Sequence, residues 1–118
     1  MAEIIIAGEI YLDPARRADC IAAGLEYQAA TRRDEPGCLA YVFAADPIDA
    51  GTLGVYERWA DAASLEAHFL HANYFNMRDV FGAHGITGTK ISKFRLEAED
   101  DVYVDGKATA TFPDDRAL

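Results

Sequence analysis

The strands of this chain have no polar face, and that limits the folds open to it. Between Glu3 and Leu12, Ile4, Ile6, Ile10 and Leu12 share one parity, with Gly8 among them, while Ile5, Ala7 and Tyr11 make the other parity mostly apolar. Successive side chains of a strand point to opposite sides, so such a strand needs cover on both. A second strand, Cys38 to Ala45, sets Leu39, Tyr41 and Phe43 against Ala40, Val42 and Ala44. After the turn-rich segment 46–51, Thr52 to Ala60 is its expected hairpin partner. A fourth strand runs from Gly88 to Leu96, with Ile91 on one parity and Phe94 and Leu96 on the other.

Helical patterns fill the gaps. Asp13-Pro14 is a strong start signal, with Asp as N-cap and Pro in the first turn. Ala18, Ile21, Ala22, Leu25 and Ala29 recur at three- and four-residue spacing and predict the buried stripe of the first helix. Gly24 in its middle costs about 1 kcal/mol against Ala; close approach to another element would explain it. Arg32 and Arg33 suit the helix end, and Glu35-Pro36-Gly37 is a turn. Asp61 caps a second helix over Ala62 to Leu70. Asn73 is the expected cap of a short third helix carrying Tyr74, Phe75, Met77 and Phe81, closed by Gly82 and Gly85.

The order β-α-β-β-α-β predicts an α+β, ferredoxin-like fold: a four-stranded antiparallel sheet with helices on one face. The opposite face also needs cover, and in a chain of 118 residues the simplest cover is a second copy of the same sheet. A homodimer with facing sheets is therefore expected. Residues 1–97 form the domain. Residues 98–118 form an acidic tail in which Asp105-Gly106 marks a tight hairpin, either an edge addition or an arm toward the partner.

Composition narrows the classes of partner. A net charge of −9 opposes binding to nucleic acid or to anionic membrane surfaces, since both need clustered Lys and Arg. No apolar run approaches the ~20 residues of a membrane span. The start, Met1-Ala2-Glu3-Ile4, lacks a basic region before its apolar run and reads as a strand rather than a signal peptide. A cytoplasmic location is the expectation, in keeping with two unpaired cysteines, Cys20 and Cys38, that lack metal-site spacing. Glu97, Glu99, Asp100, Asp101, Asp105, Asp114 and Asp115 read as a solvated acidic run.

One stretch stands apart chemically. Tyr56-Glu57-Arg58-Trp59 ends a strand, and His68 then falls on the same helical face as Leu65. An imidazole titrating near pH ~6.5 can take a phenolic proton at neutral pH. His68 is thus either a base or hydrogen-bonding anchor in a pocket, or a helix residue satisfied by a carbonyl or a nearby acid. Tyr41, Phe43, Tyr56, Phe69, Met77 and Phe81 are core or, together, the wall of a pocket for a flat aromatic ligand. Arg78 is either a solvated helix residue or a site for an anionic substrate. His71 and His84 look peripheral, and the three histidines lack the spacing of a metal site.

Glu35-Pro36-Gly37-Cys38-Leu39, Tyr56-Glu57-Arg58-Trp59 and Leu65-Glu66-Ala67-His68-Phe69, in that order and followed by Ile91-Ser92-Lys93-Phe94-Arg95, resemble the antibiotic biosynthesis monooxygenase domain over residues 3 to 97. The resemblance implies a dimeric α+β barrel with a pocket between sheet and helices in each subunit. It implies a cofactor-independent monooxygenase that oxidises a quinol or polyphenolic aromatic with dioxygen. On that reading His68 assists deprotonation, and Trp59 and Tyr74 orient the substrate. The Trp59 indole N–H would meet a substrate or superoxide oxygen, and Asn73 either donates at the pocket mouth or only caps its helix. Haem-degrading relatives carry a helical His in the third-helix region. Residues 73–79 contain none, which argues against haem and leaves only His68 or His71 to serve. No nucleotide-phosphate motif supports nicotinamide, flavin or ATP. The resemblance does not fix an activity. A non-catalytic dimeric binding or stress-response protein using the same pocket is the alternative, and a small isomerase or decarboxylase is a third.

Overall fold

The computed structural model describes residues 2–116. The elements run β1 (Ile4–Tyr11), α1 (Pro14–Asp34), β2 (Cys38–Ala45), β3 (Thr52–Trp59), α2 (Ala62–Phe69), α3 (Ala72–Ala83), β4 (Gly88–Arg95), a short hairpin β5 (Tyr103–Val104) and β6 (Lys107–Ala108), and α4 (Pro113–Arg116). The first four strands form one antiparallel sheet in the order β2-β3-β1-β4, the ferredoxin-like α+β arrangement that the sequence predicts.

Strand alternation then sorts the side chains. Ile6 and Ile10 of β1, Tyr41 and Phe43 of β2, and Leu53, Val55, Glu57 and Trp59 of β3 are buried beneath the helices. The opposite parity faces outward, where Tyr56 is 40% and Phe94 53% exposed. In cross-strand register, Phe94 lies beside Ile5, and Tyr56 lies between Ala7 and Val42. The outer face of the sheet thus exposes apolar side chains, interspersed with Glu9, Arg58, Lys90 and Ser92, away from the helices of the described residues.

The first helix is rotated from its expected orientation. Its buried face is Cys20, Gly24, Gln28 and Thr31, and Leu25 is 61% exposed. Small and polar side chains win here because they let α1 approach closely and bond to the sheet edge. A Cβ on Gly24 would lie 3.0 Å from Sδ of Met77 on α3, which accounts for the mid-helix glycine. The Gln28 side chain both donates to the Phe43 carbonyl (3.1 Å) and accepts from its N–H (3.2 Å), in the manner of an added strand residue. Arg32 Nε–H donates to the Tyr41 carbonyl at 2.9 Å. Arg17 reaches the carbonyls of Asp46, Asp49 and Thr52 and ties down the β2–β3 turn. The free edge of β2 is thus covered by helix side chains, one of the ways proteins blunt an edge strand.

Helix starts follow the local signals with one correction. Asp13 accepts from Ala15 N–H at 2.9 Å and Asp61 from Ser64 N–H at 2.8 Å. The cap of α3, however, is His71, whose Nδ1 accepts from Asn73 N–H at 3.0 Å. Asn73 lies inside the helix, and its amide is free for other use.

The hairpin signal at Asp105-Gly106 is realised, with both residues at positive φ (52° and 77°). It pairs only with itself, as a separate two-stranded sheet. The Cα radius of gyration is 16.6 Å, against ~13 Å for a compact chain of this length, so the C-terminal segment projects as an arm. At its root, Glu99 reaches back to Arg58 at 2.9 Å, and Arg58 also pairs with Glu3. That acid is an anchor rather than part of a wholly solvated run. Among the described residues no helix is long and apolar enough to cross a membrane.

Candidate active site

Three layers of local structure converge on one histidine. Asp61 fixes the start of α2, and the helical repeat then turns Leu65 and His68 inward. His68 is 1% exposed. Its ring packs 4.5 Å from Trp59, 5.3 Å from Tyr41, 5.6 Å from Tyr74 and 5.9 Å from Phe69, centroid to centroid. Tyr41 and Tyr74 meet it edge-on, the favourable arrangement for such pairs.

The residue that orients His68 is Glu35, at the end of α1. Its backbone N–H closes the helix on the Thr31 carbonyl, and its side chain is buried below α2. Oε1 lies 2.8 Å from His68 Nδ1, and Oε2 accepts from Asn73 Nδ2–H at 3.1 Å. Because the carboxylate accepts, Nδ1 carries the hydrogen and Nε2 presents its lone pair. Among the described residues Thr31 Oγ1 is the one side-chain polar atom that is both sealed from solvent and unpartnered. Nε2 has no hydrogen-bond partner among the described residues, so it is reachable, and the opening it reaches is the cavity that His68 lines.

That cavity has a volume of about 260 Å³. Its floor is the sheet and its roof is α2 and α3. Of the residues singled out from sequence, His68, Tyr41, Phe43, Phe69, Tyr74, Met77 and Phe81 line it together, and Arg78 joins them. Trp59, Tyr56 and Asn73 do not line it. Tyr56 points from the outer face of the sheet. Trp59 is fully buried beneath His68, and its indole N–H donates to Glu57 Oε1 at 3.0 Å, so it needs no ligand oxygen. Asn73 holds Glu35 rather than standing at the mouth. Thr89 and Ile91 of β4 form the remaining wall, where Ile91 is 41% exposed.

Two residues that build the site escaped the sequence reading. Glu35 looked like the first residue of a turn. Only the basic Arg32-Arg33 beside it hinted that an acid there was out of character. Glu57 stood inside the aromatic motif, at the parity of Val55 and Trp59, and that shared parity was the signal that it points inward. It lines the cavity and is 7% exposed.

The electrostatics follow from burial. Desolvation is the larger effect on His68 and lowers its pKa, although the Glu35 hydrogen bond and charge oppose it, so the imidazole is neutral at neutral pH. Burial pushes the Glu57 carboxyl up to about 7; the Trp59 N–H pulls it partly back, and the Glu35 charge adds to the rise. Burial likewise raises the Tyr41 phenol. The cavity thus holds a neutral imidazole and a carboxyl raised to about 7. Among the described residues no three His, Cys, Asp or Glu side chains are grouped to hold a metal ion.

Comparison with known proteins agrees with this architecture. Residues 3–78 match the family described as antibiotic biosynthesis monooxygenase. The uncharacterized protein sll1783 of Synechocystis sp. is 32% identical over 66 residues, 56% of this chain and 44% of that relative. The match thus spans less than half of the relative's length. A Deinococcus radiodurans structure provisionally named an antibiotic biosynthesis monooxygenase superposes with a TM-score of 0.71 at 22% identity, covering 87% of this chain and 99% of that one. Rv0793 from Mycobacterium tuberculosis gives 0.71 at 22% identity, over 84% and 99%. At such identities the structural likeness shows the fold alone.

Proposed function

Because this chain belongs to the antibiotic biosynthesis monooxygenase family, we propose that it is a cofactor-independent monooxygenase that oxidises a small quinol or polyphenol with dioxygen. The observation that carries the reading is the Glu35–His68 pair, whose free Nε2 is set in an apolar, aromatic-lined cavity. Such a cavity accepts a flat ring, and the neutral imidazole accepts its hydroxyl proton. Glu35 fixes the tautomer and stabilises the imidazolium that forms. The phenolate is electron-rich enough to pass an electron to dioxygen, and recombination of the two radicals forms the new C–O bond on the way to a quinone. The protein supplies position and a dry setting. The cavity volume falls slightly below the ~300–1,000 Å³ usual for ligand pockets, which favours substrates of one or two fused rings.

We also propose a homodimer joined through the outer face of the sheet. The exposed Tyr56 and Phe94 on that face, beside Ile5, Ala7 and Val42, and the projecting hairpin arm support it. A cytoplasmic site of action suits the free Cys20 and Cys38.

Oxygen-electrode assays with a panel of quinols and phenols test the activity. Uptake that falls by about 100-fold or more in His68→Ala is expected for a general base; full turnover in that variant overturns the assignment. No uptake with any probe, while phenols still raise the melting temperature, would favour a binding protein instead.

A further inference from the structure

The chemistry above engages His68 and leaves a second titratable side chain in the same cavity without a task. Glu57 enters from the sheet floor and His68 from the helical roof. Its Oε1 is pinned by the Trp59 indole N–H at 3.0 Å. Its other oxygen has no hydrogen-bond partner among the described residues and is not among their sealed atoms. A carboxyl held by one oxygen, with the other open to an apolar cavity, has the arrangement of a working acid–base group.

We propose that Glu57 carries the late proton transfers of the reaction, taking the ring proton from the oxygenated carbon and delivering it to the departing hydroxide. The inference rests on the monooxygenase reading and completes its proton balance. His68 takes the hydroxyl proton of the phenol. One electron passes to dioxygen, and the phenoxyl and superoxide radicals combine at a ring carbon that still bears hydrogen. His68 returns its proton to the peroxide anion, giving a dienone hydroperoxide. The Glu57 carboxylate then removes the hydrogen on that carbon as a proton. The C–H electrons form the second C=O as the O–O bond breaks, and hydroxide leaves. Protonated Glu57 gives its proton to the hydroxide. The sum is phenol plus dioxygen to quinone plus water, with both residues restored.

Two other polar side chains of the cavity are unsuited to this role. The Tyr41 phenol is pushed up by burial, and the Arg78 guanidinium does not release a proton. Trp59, outside the cavity lining, has its one N–H committed to Glu57. The charged and titratable groups facing Glu57 are Cys38 and Tyr41 from β2, Glu35 from the end of α1, His68 from α2, and Tyr74 and Arg78 from α3. β1 presents Ile6, with Lys93 of β4 beyond it in the same cross-strand row. Burial and the nearby Glu35 charge raise the carboxyl to about 7, where it both takes and gives protons at neutral pH.

The test compares wild type, Glu57→Gln and Glu57→Asp with 1-naphthol as probe, following dioxygen uptake, hydroperoxide and quinone separately from pH 5 to 9. In Glu57→Gln, quinone formation is expected to fall about 100-fold or more. Hydroperoxide or hydrogen peroxide then accumulates, and the limb of kcat near pH 7 disappears. Glu57→Asp, which keeps the carboxyl, recovers part of the rate and serves if the Gln variant fails to fold. Quinone formation at the wild-type rate and pH profile in Glu57→Gln overturns the proposal. So does an equal loss of uptake and quinone in both variants with the pH limb unchanged, which would mark a structural role. Wild type that takes up no dioxygen with 1-naphthol or with any member of the quinol and phenol panel overturns the monooxygenase reading itself, and this inference with it; an active wild type with an unaffected Gln variant overturns this inference alone.

Discussion

The Glu35 carboxylate lies 2.8 Å from Nδ1 of His68 although 33 residues separate them in the chain. The contact joins the end of α1 to the inner face of α2, and the Asn73 amide draws α3 to the same carboxylate. One acid therefore holds three helices around the cavity roof.

Removing that acid should unsettle fold and site together. Glu35→Ala strands the His68 Nδ1–H and the Asn73 amide below α2, at an expected cost of roughly 2–4 kcal/mol. Glu35→Gln keeps a partner for one of them and should cost less, yet it frees the tautomer of His68. Urea denaturation read beside turnover separates the two effects. A Gln variant with wild-type turnover would show that orienting His68 is unimportant.

The chain's single tryptophan donates to Glu57, so it should report that carboxyl directly. Trp59 fluorescence is expected to titrate with a midpoint of about 7 and to lose that transition in Glu57→Gln. A transition that persists in the variant would belong to another group.

Glu57 should also tilt stability with pH. Its native pKa is raised from 4.5 to about 7, so the native state holds the proton more tightly than the unfolded chain. The contribution is full below 4.5 and is lost as pH rises through about 7, amounting to about 3 kcal/mol at ~1.4 kcal/mol per unit. His68 runs the opposite way: its lowered pKa gives stability above its unfolded value of 6.5 that is lost as pH falls. Glu57→Gln should therefore gain stability relative to wild type at pH 8 compared with pH 5. A pH-independent difference in urea midpoints would refute the shift.

The edge of β2 gives a prediction free of the active site. Gln28→Leu loses both hydrogen bonds to Phe43 and leaves its buried N–H and carbonyl bare, at an expected cost of about 1–3 kcal/mol. Thermal melts would show this, and a neutral result would mean that water replaces the amide.

Placing a charge on the outer face of the sheet tests the homodimer. Tyr56→Asp or Phe94→Asp should shift the sedimentation mass from dimer to monomer at micromolar concentration. A wild-type monomer would sink the proposed assembly.

The strand alternations, the Asp13 and Asp61 caps and the Asp105-Gly106 hairpin were legible because each depends on neighbours in sequence. The orientation of α1 was not, because hydrophobic periodicity marks Leu25 while burial went to Gly24 and Gln28, whose partners lie on α3 and β2. The same limit governed the site. His68 and most of the aromatic lining could be named from local pattern. Glu35 could not, since what makes it functional is a partner 33 residues away. Tyr56 and Trp59 shared the motif that drew attention to the pocket. Strand parity sends the first to the outer face, and the second lies buried beneath the histidine.

The cavity wall at Thr89 and Ile91 belongs to an edge strand whose side chains are largely exposed. Substitutions there remove little packing and cost little stability, while the buried floor of Tyr41, Phe43 and Glu57 tolerates few. On the proposed function, ligand preference can therefore drift through β4 while the buried floor stays fixed, so one cavity can be refitted to new ligands by changes in a single edge strand.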